Sequence, residues 1–284
     1  MSIKTVGVVG CGLMGSGIAE VVAKNGYSVI VREVNDEFLQ KGLARIRAST
    51  QKAVDRNKIT VEARDQLLAR IRGTTHLEEF SECDYVVEAA IENLNLKKDI
   101  FERLDSITRP EVILASNTSS LSIAEMAAKT KKPDKVLGMH FFNPVPVMPL
   151  LEMVRSFMTS EATYETSRAL GKALGKQIIV AKDYPGFIVN ALLVPFQLDA
   201  IRFYENGMAS KEDIDKGVRL GLNHPMGPLE LCDFVGIDTV LFIADEVYNE
   251  TKDPRYAAPP LLRRMVAAGY HGRKTGKGFY EYSK

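Results

Sequence analysis

The strongest constraint in this chain is a short succession near its start. An apolar run at 6–9 is followed by Gly10-Cys11-Gly12-Leu13-Met14-Gly15 and then by an apolar, helix-forming run from Ser16. Strand, glycines and helix in that order are compatible with few folds. Gly10 permits a tight turn, Gly12 lets an anion approach bare backbone, and Gly15 lets the helix pack close to the strand. The free N–H groups of such a helix start attract phosphate, so the stretch reads as a dinucleotide cradle. A second strand follows at 28–31, and Glu33 stands just past it, 23 residues after Gly10. An acid there accepts hydrogen bonds from the adenosine ribose hydroxyls and repels a 2′-phosphate, which argues for NAD over NADP. Arg32 beside it is the residue type that could hold a 2′-phosphate, and a solvated carboxylate at a strand end is the plainer reading of Glu33.

Composition narrows the class. The 284 residues are 45% hydrophobic and 26% charged, ordinary for a soluble globular protein with room for two domains. A net charge of +1 creates no field favouring nucleic acid or an anionic membrane. The three widely spaced cysteines, Cys11, Cys83 and Cys232, suit reduced thiols in the cytoplasm better than a disulfide frame or a metal site. The chain is expected to carry no signal peptide, and no apolar run is long enough to span a bilayer.

Apolar positions at helical spacing then predict a helical hairpin over 36–72, turning at 57–60 and stopped by Gly73. From Lys41 to Arg72 the hairpin carries nine basic residues against three acids. A solvated helical face and a docking surface for a polyanionic substrate handle both explain that charge. Strands are predicted at 84–90, 112–115 and 136–142, with a helix capped by Asn95 and a short helix at 122–128. Residues 143–149 hold three prolines and are expected to be extended. A strand at 150–154, a helix near 163–174 and a strand at 177–180 follow. Pro185-Gly186 marks a change: beyond it helices are predicted at 187–204, 211–220, 229–248 and 261–268. The expected fold is therefore α/β, a Rossmann-type, mostly parallel sheet with an inserted hairpin over 1–185, followed by an all-α domain over 186–284. A small helical domain so rich in apolar faces suggests burial against a second copy.

Ligands of parallel sheets bind beyond the carboxyl ends of the strands. The glycine loop and the segments 88–92, 117–120 and 140–143 all fall at such ends. His140 is the one histidine among them, and an imidazole can take a proton from an alcohol as hydride leaves for a nicotinamide. Glu152, an acid between apolar neighbours, is the natural partner to orient it. Ser119 and Asn190 could donate hydrogen bonds to the reacting oxygen. The plain alternatives are a hydrogen-bonded core histidine, a loop cap and a polar group at a helix start.

Six motifs in order resemble the L-3-hydroxyacyl-CoA dehydrogenase family over essentially the whole chain, and within it the bacterial 3-hydroxybutyryl-CoA branch. They are residues 10–15, Ser116-Asn-Thr-Ser-Ser120, His140-Phe-Phe-Asn-Pro-Val-Pro-Val-Met148 with Glu152, Pro185-Gly-Phe-Ile-Val-Asn190, His224-Pro-Met-Gly-Pro228 and Gly272-Arg-Lys-Thr-Gly-Lys-Gly-Phe-Tyr280. The resemblance implies reversible, NAD-dependent oxidation of an (S)-3-hydroxyacyl-CoA to the 3-ketoacyl-CoA. It makes His140 the base, Glu152 its orienting partner, and Ser119 and Asn190 the contacts to the reacting oxygen. It assigns Gly10, Cys11, Gly12, Leu13, Met14, Gly15, Glu33, Glu92, Lys97, Ser119, Asn143 and Lys274 to the cofactor. Ser49, Lys52 and Arg56 fall where the family's hairpin receives coenzyme A, which gives the basic charge a ligand, and the second domain becomes a dimerisation domain. Two other readings stand beside it, a dehydrogenase of a free 3-hydroxy acid and a non-catalytic NAD-binding protein.

Overall fold

The computed structural model describes residues 3–282. They form two compact units that meet between Asp183 and Tyr184. In the first, β1 (Thr5–Val9), α1 (Leu13–Lys24) and β2 (Ser28–Arg32) precede a hairpin of α2 (Asp36–Asp55) and α3 (Val61–Ala69). Then come β3 (Ile71–Thr74), β4 (Tyr85–Glu88), α4 (Leu94–Ile107), β5 (Ile113–Ser116), α5 (Ile123–Ala127) and β6 (Val136–Phe141). β7 (Leu150–Arg155), α6 (Glu161–Ala173) and β8 (Gln177–Lys182) complete it.

One eight-stranded sheet runs β3-β2-β1-β4-β5-β6-β7-β8. The first six strands are parallel, β7 is antiparallel to β6, and β8 is parallel to β7. Strand order reverses between β1 and β4, and the crevice beyond their carboxyl ends is where a Rossmann-type sheet receives its ligand. Both β4 and β5 are buried at every position, as strands covered by helices on two faces must be. Val8, Val31, Val87, Ala115 and Met139 pack in one core with Ile18 and Val22 of α1 and with Leu39 and Ile46 of α2.

Four expectations for the first unit need correction. Leu67, Leu68 and Ile71 have helical spacing, but the second hairpin helix ends at Ala69 and Ile71–Thr74 is an edge strand paired with β2. Four residues are too few for periodicity to separate strand from helix. Gly73 stops nothing; it sits within β3, where a Cβ would press on Leu39 and Leu43 of α2. Asn93 caps α4, accepting from the Leu96 N–H at 3.0 Å, so Asn95 lies inside the helix. Residues 143–149 turn sharply: the Asn143-Pro144 peptide is cis, and the Val147 and Met148 N–H groups both donate to the Pro144 carbonyl at 2.9 Å. The φ that proline imposes suits a turn as well as an extended chain.

The second unit contains α7 (Val189–Glu205), α8 (Lys211–Gly221), α9 (Pro228–Val235), α10 (Ile237–Thr251) and α11 (Pro260–Ala267). The single helix expected over 229–248 is two, broken at Gly236 with φ of 107°. The apolar pattern runs through the break, so only the backbone reveals it. Val194, Leu198, Leu229, Val240, Ala244 and Leu262 share a separate core. The segment after α11 is held by two buried acids. Asp233 accepts from the Phe279 and Tyr280 N–H groups, and Asp215 from the Tyr280 hydroxyl, all at 2.9 Å. Among the described residues no helix is long and apolar enough to cross a membrane.

Candidate active site

The glycine loop is shaped for an anion. Gly10 has φ of 94°, a conformation other residues rarely adopt. A Cβ at Gly15 would be driven into the Gly10 carbonyl oxygen, whereas one at Gly12 would meet nothing within 4 Å. Gly12 therefore faces open space, and α1 begins there with no side-chain cap and no acid in its first turn. Those features fit a pyrophosphate against the backbone. Glu33 curls back on the loop: its Oε1 accepts from the Cys11 N–H at 2.7 Å and its Oε2 from the Val34 N–H at 3.0 Å. Carboxylate lone pairs remain for ribose hydroxyls. Arg32 directs its Nε to the Thr75 carbonyl at 3.3 Å. Cys11 contributes backbone only. Its thiol is buried against Gly42 of α2, and burial pushes its pKa up to about 12.

His140 and Glu152 face each other across the antiparallel β6–β7 ladder. Directly opposed residues of such a pair project from the same face, so the register alone brings the side chains together. Nδ1 of His140 lies 2.7 Å from Oε2 of Glu152, and both side chains are buried. A carboxylate accepts and does not donate. The contact therefore places the imidazole proton on Nδ1 and leaves Nε2 as the basic nitrogen. The β6–β7 turn is anchored by Lys176, whose buried ammonium donates to the Val145 and Met148 carbonyls at 2.6 and 2.7 Å. Val145 packs over Gly17 of α1, tying the turn to the nucleotide helix. Asn143 is exposed on that turn.

The loop after β5 sits alongside. Asn117 accepts from the Phe141 N–H at 2.9 Å, joining this loop to the residue after His140. Glu92 accepts from the Ser119 N–H at 2.8 Å, the Ser119 hydroxyl at 3.2 Å and the Thr118 hydroxyl at 2.5 Å. Lys97, expected to line the cofactor, exposes no surface. Its ammonium is held by Glu88 at 2.7 and 3.0 Å and by Glu92 at 3.3 Å. Glu88, at the end of β4, drew no role from the sequence beyond lying at a strand end. An acid ending the apolar run at 85–87 was the available signal.

On the hairpin, Lys52 and Arg56 stand exposed one helical turn apart. Half-buried Ser49 differs from them: it faces Glu20 of α1 and works to lower that carboxyl, which burial raises on balance. In the second unit, Asn190 lies in the first turn of α7, and Lys274 gives its ammonium to Asp238 at 2.8 and 3.1 Å and to Thr239 at 2.9 Å.

Known proteins identify the arrangement. The NAD binding domain of 3-hydroxyacyl-CoA dehydrogenase matches residues 5–184, and the C-terminal domain of the same family matches residues 186–282. The chain belongs to the 3-hydroxyacyl-CoA dehydrogenase family. A 3-hydroxybutyryl-CoA dehydrogenase of Mycobacterium tuberculosis is 50% identical over 283 residues, covering 99% of each chain. The crystal structure of FadB2 from M. tuberculosis superposes with a TM-score of 0.98 at 49% identity over all of both chains. That of (S)-3-hydroxybutyryl-CoA dehydrogenase PaaH1 from Ralstonia eutropha does so with a TM-score of 0.95 at 47% identity, again over both whole chains. Membership in this family makes the dinucleotide of the glycine loop NAD and the protein an oxidoreductase.

Proposed function

We propose that the protein interconverts (S)-3-hydroxybutyryl-CoA and acetoacetyl-CoA. The observation that carries this reading is the buried His140–Glu152 pair at the carboxyl end of β6, in the sheet whose order reverses at the glycine loop. Bound NAD supplies the hydride acceptor. Nε2 of His140 takes the hydroxyl proton as the C3–H bond breaks, and Glu152 stabilises the imidazolium that forms. In the reverse direction the imidazolium returns the proton to the ketone oxygen. Ser119 and Asn190 donate hydrogen bonds to that oxygen as its charge changes. Glu33 receives the adenosine ribose, and Asn143, Glu92 and Lys274 complete the cofactor's surroundings.

Lys52 and Arg56 hold the phosphates of coenzyme A, supported by their exposure on a hairpin with a surplus of basic residues. Ser49 serves the junction of α1 with α2. The second unit joins two copies. Leu192, Phe203, Met208, Leu220 and Leu222 are more than half exposed there, an apolar surface that a second copy would cover. Three buried free thiols among the described residues support a cytoplasmic site.

His140→Gln tests the chemistry. Loss of the base should lower kcat about 10²- to 10⁴-fold. Near-normal turnover by a folded variant would refute the assignment. Comparing acetoacetyl-CoA with free acetoacetate, and measuring NADH binding alongside NADH oxidation, separates this reading from a free-acid dehydrogenase and from a non-catalytic NAD-binding protein. Sedimentation of the intact chain tests the dimer.

A further inference from the structure

Beneath the catalytic loop lies a chain of charged and hydroxyl groups whose deepest members touch no surface. Glu88 accepts four hydrogen bonds from three groups. Lys97 of α4 reaches both of its oxygens, the Ser116 hydroxyl at the end of β5 donates to Oε2 at 2.6 Å, and the Ala90 N–H donates to Oε1 at 2.6 Å. Neither Glu88 nor Lys97 is exposed at all. A buried ion pair is a poor source of stability, because taking both charges from water offsets most of their attraction. The position of the ammonium suggests another use, since it also stands 3.3 Å from Oε2 of Glu92.

Glu92 uses its other oxygen to hold the loop of Ser119. Thr118, fully buried, has one hydroxyl proton and gives it to Glu92 Oε1 at 2.5 Å. Its lone pairs are then free for the Leu121 and Ser120 N–H groups, at 3.0 and 3.4 Å. The Ser119 N–H meets the same carboxylate oxygen at 2.8 Å and the Ser119 hydroxyl at 3.2 Å. The backbone is thus pinned while the hydroxyl is held only loosely. Lys97 draws on the charge of Glu92, so the carboxylate can release the serine proton toward another oxygen.

We propose that Glu88 and Thr118 are positioning residues for Ser119. Acting through Lys97 and Glu92, they aim its hydroxyl so that it transfers its hydrogen bond from Glu92 to the reacting substrate oxygen. This rests on the assignment of Ser119 to that oxygen.

The test is a double-mutant cycle on the full chain with acetoacetyl-CoA and NADH. Thr118→Val should lower kcat about tenfold, the effect of misdirecting one donor to a developing charge, while the Kd for NADH stays within about twofold. Thr118→Ser should restore activity. In a Ser119→Ala background Thr118→Val should have no further effect, because positioning is lost with the group positioned. Should Thr118→Val fold poorly, Glu88→Gln enters the same cycle with the same expectation. Additive losses, or a Thr118→Val kcat within twofold of the parent, would overturn the positioning role and leave Ser119 in place. Ser119→Ala with unchanged kcat would overturn both.

Discussion

Replacing Glu152 by Gln isolates the electrostatic part of the proposed catalytic pair. The side chains are nearly isosteric, and Glu152 exposes no surface, so the change reaches substrate through the buried groups it touches, His140 among them. What is removed is the charge behind a 2.7 Å contact to Nδ1. A hydrogen bond to a charged partner contributes about 1.5–3 kcal/mol, against roughly 1 kcal/mol or less between neutral groups. Because the imidazole is charged only once it has taken the proton, this difference falls on the transition state. At about 1.36 kcal/mol per tenfold, the roughly 1–2 kcal/mol that separates the two kinds of bond should lower kcat about 5- to 30-fold. The KM values for 3-hydroxybutyryl-CoA and NAD should hold within about twofold, since uniform binding is untouched. Steady-state NAD reduction, the direction in which His140 takes the proton, measures all three, with a thermal melt to show that the variant is folded. A kcat within threefold of the parent would refute the coupling. So would a KM rising in step with an unchanged kcat, because the pair would then be serving binding instead of proton transfer.

The glycines make opposite predictions. Gly12→Ala should fold normally but raise the Kd for NADH roughly tenfold, the loss of about one charge-assisted hydrogen bond, whereas Gly15→Ala should lose about 1–3 kcal/mol of stability in a urea melt. Lys52→Glu with Arg56→Glu should raise the KM for acetoacetyl-CoA about three- to tenfold at low salt and much less at high salt, leaving the KM for NADH unchanged. Asp84 gives a pH signature. Burial works to raise its carboxyl, but the Thr5 and Lys4 N–H groups and the Arg109 guanidinium outweigh it, and the folded-state pKa lies below the usual 3.8. The unfolded chain then binds the proton more readily, so this stabilisation is present above 3.8 and lost as pH falls through the folded-state pKa. Urea melts of Asp84→Asn should show a shallower loss of stability below pH 3.8 than the parent, and equal slopes would refute the account.

Much of the site was legible before any coordinates. The glycine spacing, Glu33, His140 and the strand-end rule needed only local backbone geometry and the convergence of parallel strands, which sequence order encodes directly. Elements failed to read where one pattern served two structures. Ile71 continues a helical spacing yet pairs with Val29, because the edge of β2 offered hydrogen-bonding groups that a helix would have left to solvent. Gly236 breaks a helix whose apolar stripe never falters. Ser49 shares a stripe with Lys52 and Arg56 along α2, but α1 brings Glu20 up against it.

By itself the sequence determined the dinucleotide loop, the order of strands and helices, and which residue types could move a proton. Only the tertiary structure decided the pairings. His140 and Glu152 are twelve residues apart and meet because β7 runs antiparallel to β6 in one particular register. Glu88, Lys97 and Glu92 form a continuous chain to Ser119 because two strand ends and a helix converge and shut Glu88 and Lys97 away from water. Periodicity fixes which face a residue occupies within its own element. Contacts between elements depend on register and burial, which the whole fold settles at once.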